Sequence, residues 1–124
     1  MQMGRHVLLI EDEPNIAEAI RFILARDGWR VSTHDTGADA VETVRDLAPD
    51  VLILDVMLPC QSGFEILRQL RALPEMDGLR VMMLTAKGQA RDRDVAQEFG
   101  VDMFMTKPFS NAEIVAAVRA LGAA

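Results

Sequence analysis

Several short apolar runs in this sequence end on residues able to do chemistry. Val7–Ile10 leads into Glu11-Asp12-Glu13, Val51–Leu54 into Asp55, and Val81–Leu84 into Thr85. The weaker run Asp102–Thr106 leads into Lys107 and Pro108. If the fold brings these ends together, Glu11, Asp12 and Asp55 share a pocket with one ammonium. Like charges that close raise one another's pKa or recruit a cation. An all-oxygen, partly hydrated donor set suits Mg2+ (or Mn2+) better than a softer metal, and no histidine or thiolate is placed to build a zinc site. Beside such an ion a carboxylate can attack phosphorus, with the ion and Lys107 neutralising the transferring group. The Thr85 hydroxyl is suited to donate to a phosphoryl oxygen. The residues outline a phosphoryl-transfer pocket.

The elements that must position them can be read from hydropathy. The runs Val7–Ile10, Val51–Leu54 and Val81–Leu84 are continuously apolar, as strands buried on both faces of a parallel sheet require. Weaker strands are expected at Trp29–Thr33 and Asp102–Thr106. Amphipathic helices are expected over Asn15–Arg26, Ala38–Leu47, Phe64–Ala72 and Glu113–Leu121. A highly charged fourth helix, Gln89–Phe99, offers mainly Val95, Ala96 and Phe99 to a core and otherwise reads as a solvated face. Pro14 suits a first helical position, Gly28 and Gly100 suit helix C-termini, and Ser62/Glu65 and Ser110/Glu113 read as capping boxes. Pro49 and Pro74 separate helices from the strands that follow. The pattern is an α/β fold of five βα units with right-handed crossovers and helices on both faces. Such sheets hold their sites beyond the carboxyl ends of the strands.

Composition sets the outer bounds. The 124 residues carry 13 Lys+Arg against 19 Asp+Glu, a net charge of −6, and half are hydrophobic. One domain over residues 1–124 is expected. The acidic balance argues against direct nucleic-acid binding, which needs clustered cations. A single cysteine, Cys60, rules out an intrachain disulfide and fits a reducing compartment. No apolar run approaches the ~18–20 residues that cross a bilayer, and Met1–Arg5 lacks signal-peptide character. A cytoplasmic chain without membrane insertion is expected.

The motifs V-L-L-I-E-D-E-P, P-D-V-L-I-L-D-V-M-L-P with S-G-F-E, M-L-T-A-K and T-K-P-F occur in this order. On these motifs the chain resembles, from Val7 to Leu121, the receiver domain of two-component response regulators, and in particular the single receivers of chemotaxis. The resemblance implies the flavodoxin-like strand order 2-1-3-4-5. It implies that Asp55 is the phosphoacceptor, Asp12 a direct Mg2+ ligand, Glu11 its partner through water, and the Met57 carbonyl a further ligand. Thr85 becomes the switch hydroxyl, Lys107 the cation that pairs with the phosphoryl group, and Phe104 the switch aromatic. A cis peptide between Lys107 and Pro108 is implied as well.

Some positions depart from the family pattern. Glu11 replaces the commoner Asp, and Cys60 stands where Gly is frequent. Met57 is apolar and cannot orient an attacking water, and Lys87 contacts or screens the phosphoryl group; together they imply a persistent modification. Asp102 and Glu113 fit the ion-pair pattern of one dimerising subfamily, whereas Met103 and Ala117 do not, so that network is incomplete.

The resemblance implies a sensor histidine kinase or phosphotransfer protein as donor. It implies a protein effector, or an output domain absent after Leu121, as recipient, with the face of the fourth helix, fifth strand and fifth helix doing the signalling. The chain is then no enzyme beyond catalysing its own phosphorylation and dephosphorylation. A receiver-like module that works without phosphorylation is the alternative within the family. A flavodoxin-like electron carrier is disfavoured because Glu11-Asp12-Glu13 repels a flavin phosphate. A phosphohydrolase is disfavoured because Met57 stands where a second Asp would serve. His6 and His34 read as surface or strand-edge residues, and Met82 and Met83 as core filler. Trp29 reads as remote from the site, and Thr85 doubles as a candidate cap for the fourth helix.

Overall fold

The computed structural model describes residues 5–86 and 90–123. Five strands alternate with five helices. They are β1 (His6–Ile10), α1 (Pro14–Arg26), β2 (Arg30–His34), α2 (Ala40–Leu47), β3 (Val51–Asp55), α3 (Gly63–Arg71), β4 (Arg80–Thr85), α4 (Ala90–Glu98), β5 (Met103–Thr106) and α5 (Asn111–Ala123). The sheet is parallel, in the order β2-β1-β3-β4-β5. Each apolar run falls in a strand within a residue or so of its expected bounds. Residues 87–89, which include Lys87 and the expected start of the fourth helix, lie outside the described residues.

Alternation along each strand divides the core between the two faces. Leu8, Ile10, Leu52, Leu54, Val81 and Met83 face α2 and α3 and pack with Val44, Ile66, Leu67 and Leu70. Val7, Leu9, Val51, Ile53, Met82 and Leu84 face α1 and α5 and pack with Ile20, Leu24, Ile114, Val118 and Leu121. The central strands are covered on both sides, which explains why they read as unbroken apolar runs.

Local chemistry sets where the helices begin and end. At α5 the capping box closes both ways: Glu113 N–H donates to Ser110 Oγ at 3.1 Å, and Ser110 N–H to Glu113 Oε1 at 2.7 Å. At α3 only half of it forms. Glu65 N–H donates to Ser62 Oγ, while the Glu65 carboxylate turns to Arg68 and Gln69. Asp39 is left-handed at φ +48°, so α2 starts at Ala40 and not at Ala38. Gly28 and Gly100 follow α1 and α4 at φ +96° and +91°, as expected of glycines beyond a helix end. Pro74 opens a single 3-10 turn, Pro74–Met76, ahead of β4.

A further expectation fails at His6. His6 is buried at the entry to β1, with Nε2 2.7 Å from Ser32 Oγ. Its backbone N–H donates to Asp50 Oδ2 at 2.8 Å. Ser32 of the neighbouring strand partners one ring nitrogen, Asp50 takes the backbone N–H, and the other ring nitrogen, Nδ1, is buried without a hydrogen-bond partner. His34 does lie near the surface at the end of β2, close to Ala38 O and Asp39. Trp29 packs on Gly122 of α5, with the Arg5 guanidinium over its ring, at the entry edge of the sheet and opposite the strand ends that carry the pocket.

Candidate phosphoryl-transfer site

The sheet register places the chemistry. Ile10 pairs with Leu54, so Glu11 and Asp55 each come one residue beyond that rung on adjacent strands. Thr85 pairs with Thr106, which puts Lys107 one residue past β5. Lys107 N–H then donates to Thr85 O at 2.7 Å, and the Lys107–Pro108 peptide is cis. The Lys107 side chain turns back over the sheet edge. Its Nζ lies 2.8 Å from Glu11 Oε1 and 3.0 Å from Asp55 Oδ2.

Burial makes this trio costly to charge. The Glu11 side chain is fully buried and that of Asp55 nearly so, while Asp12 is exposed at the rim. Burial and the adjacent Asp55 push the Glu11 carboxyl up to about 7, against the pull of Lys107 and of the Glu13 N–H, which donates to Glu11 Oε2. Burial alone would lower the Lys107 ammonium, but its bonds to Glu11 and Asp55 outweigh this and the net shift is upward. Glu11, Asp12 and Asp55 each offer an oxygen, all within 4.8 Å of one another. This donor set fits a hard octahedral ion, whose opposite ligands stand about 4 Å apart.

The remaining expected residues surround this cluster. Thr85 is buried at the end of β4; the described part of α4 begins at Ala90, and the cap expected of Thr85 falls on residues outside the described ones. Met57 donates its N–H to Asp55 Oδ1 at 3.3 Å while its side chain points to solvent, leaving the residue 73% exposed. Phe104, in β5, is partly buried against the core and lies under Arg93 of α4. Cys60 is exposed at φ +73°, the backbone conformation that explains why glycine suits this loop position.

Sequence reasoning missed two features. Gly63 lies so close to the site that a Cβ there would fall 2.1 Å from Asp55 O. The glycine within S-G-F-E was the available signal. Asp102 is engaged within the chain. It accepts from Arg71 Nη2 at 2.9 Å and from Val81 N–H at 2.8 Å, while Glu113 caps α5. Both acids of the suspected dimer pattern are bonded within the chain.

A five-stranded 2-1-3-4-5 sheet with this acidic edge defines a class, and residues 7–119 match the response regulator receiver domain. The chain belongs to that family. It is 44% identical over 115 residues to a protein described as a probable transcriptional regulatory protein, TcrX, of Mycobacterium tuberculosis, covering 93% of this chain and 48% of that one. The chain thus spans about half the length of this curated relative. Among solved structures, the receiver domain of a signal transduction histidine kinase from Syntrophus aciditrophicus aligns with TM-score 0.89 at 30% identity, over 97% of this chain and 91% of that chain. The chemotaxis response regulator CheY4 of Vibrio cholerae shares the fold, with TM-score 0.89 at 23% identity over 97% and 99% of the two chains. No helix among the described residues is long and apolar enough to cross a membrane.

Proposed function

We propose that Asp55 accepts a phosphoryl group from the phosphohistidine of a sensor kinase or phosphotransfer protein. The observation that carries this reading is the Lys107 ammonium within 3.0 Å of Asp55 in a cluster completed by Glu11 and Asp12. An Asp55 oxygen forms the new O–P bond as the P–N bond to the donor imidazole breaks. The electron pair returns to the imidazole nitrogen, which is then protonated. Lys107 neutralises charge on the phosphoryl oxygens, and the buried Thr85 hydroxyl donates to one of them. Glu11, Asp12, Asp55 and the Met57 carbonyl would hold Mg2+ or Mn2+, which when bound supplies Lewis-acid neutralisation of the same oxygens.

Drawing Thr85 toward the phosphoryl group vacates space beside β5, and Phe104 and α4 shift between two arrangements. The altered face of α4, β5 and α5 then engages a protein effector or an output domain. The chain modifies itself and turns over no external substrate. Met57 presents no polar group to an attacking water, so the acyl phosphate persists well beyond seconds once the donor is removed.

The test is incubation with Mg2+ and a small acyl phosphate, read by intact mass. One phosphoryl group, about 80 Da, is expected on the wild type and absent from Asp55→Asn. No wild-type adduct, or an adduct that survives Asp55→Asn, sinks the assignment. The first of these results would favour a receiver that signals through contacts alone.

A further inference from the structure

Helix α4 has little apolar hold on the sheet. Ala96 is its only buried residue, and Arg91, Asp92, Arg93, Asp94 and Glu98 make it highly charged. Phe104 packs against the same core cluster as Ala96, and the Arg93 guanidinium carbon stands 5.0 Å from the centre of its ring. That is within the range where the negative face of an aromatic attracts a cation. Among the described residues Arg93 has no carboxylate partner, although acids flank it in sequence at Asp92 and Asp94. The guanidinium has settled on the ring.

We propose that Arg93 is a positioning residue for Phe104, a latch that holds the ring in its partly buried setting and ties that setting to the placement of α4. The inference rests on the reading above, in which Phe104 and α4 move when Asp55 is modified. Turning the ring removes the surface on which the guanidinium lies, and sliding the helix carries the guanidinium away. Each motion therefore costs the same contact, and the two become coupled. A cation–aromatic contact at a half-exposed site shifts a two-state equilibrium by about two- to fivefold. That is enough to tune a switch without locking it.

The test uses protein carrying 4-fluorophenylalanine, with the Phe104 resonance assigned through Phe104→Leu. Fluorine spectra are recorded for wild type, Arg93→Gln and Arg93→Lys across a titration with beryllofluoride and Mg2+. In Arg93→Gln the Phe104 resonance should start closer to its activated position, and the titration midpoint should fall by about two- to fivefold. Arg93→Lys, which keeps the charge, should lie between, while the resonance of Phe22 on the far side of the sheet stays in place. An unchanged Phe104 resonance and midpoint in Arg93→Gln overturns the latch, even if denaturation shows that variant to be less stable. Failure of the receiver reading looks different: the wild type itself then ignores beryllofluoride. In that event the Arg93→Gln shift without beryllofluoride still decides the latch.

Discussion

Arg71 and Asp102, 31 residues apart in sequence, meet at 2.9 Å where α3 ends and β5 begins. The same guanidinium donates to Gly100 O, Met76 O and Leu79 O, and the same carboxylate receives the Val81 N–H. One ion pair therefore pins the loop after α4, the 3-10 turn and the start of β4. Asp102→Ala should cost about 1–3 kcal/mol in urea unfolding, because it strands the buried Val81 N–H and takes the carboxylate from a guanidinium that keeps only its carbonyl partners. A loss below about 0.5 kcal/mol, the worth of an ordinary surface pair, would show that the clamp is ornamental. Asp102→Asn, which can still accept from Val81, should lie between.

Lys107 touches both inner carboxylates, so it competes with a divalent ion for them. Lys107→Met should tighten Mg2+ binding several-fold by calorimetry, since one positive charge leaves the immediate field. Phosphorylation by an acyl phosphate should slow by roughly 10²–10³-fold, the usual loss for one preorganised donor. A weaker Mg2+ affinity in this variant would contradict the competition.

Glu11 makes the pocket sensitive to pH. Its folded pKa of about 7 lies above the ordinary 4.5, so the folded state binds the proton more tightly than the unfolded chain does. Stability of the metal-free protein should therefore fall as pH rises from about 4.5 to about 7, and Glu11→Gln should flatten that slope. His6 acts the other way. Burial, then Arg30, holds its pKa below 6.5, so its contribution is full above that pH and is lost as pH falls below it. Mg2+ must also displace the Glu11 proton, so binding should release close to one proton at about pH 6 and almost none above about pH 8.5. Calorimetry in buffers of different ionisation enthalpy measures this. A release that does not change with pH would refute the raised pKa.

Besides Asp39, two described residues, Ala48 and Cys60, hold left-handed backbone without the freedom of glycine. Ala48 ends α2 at φ +45°, and Cys60 sits at φ +73° in the loop after Asp55. Replacing either by glycine removes about 1 kcal/mol of strain, offset in part by the looser unfolded chain. Each variant should raise Tm by roughly 1–4 °C, and the double variant should show the sum because the sites share no partner. A lower Tm for Ala48→Gly would mean that its methyl group packs more than its backbone strains.

The strands and the pocket were legible in the sequence for a single reason. β1, β3 and β4 are covered on both faces, so they read as apolar runs, and the first polar residue after each marks the sheet edge. What was hidden depends on where distant elements land. Asp102 read only as one member of an incomplete ion-pair pattern because nothing nearby in sequence announces Arg71. His6 read as a surface or strand-edge residue because its neighbours, Ser32 in β2 and Asp50 just before β3, come from distant parts of the sequence. Arg93 sits in a run of alternating charges that gives no hint of the ring beneath it. The start of α2 was misjudged by two residues because one left-handed residue, Asp39, leaves no mark on hydropathy.

The reach of Lys107 across the sheet edge gives the acidic edge a counter-ion supplied by the chain itself. Charge that would otherwise strain the ends of β1 and β3 is balanced by a residue that arrives as soon as β5 docks. Assembly of the sheet is then expected not to depend on uptake of a divalent ion. The chain is expected to fold in magnesium-poor surroundings, where a divalent ion would join as a co-reactant rather than as scaffolding.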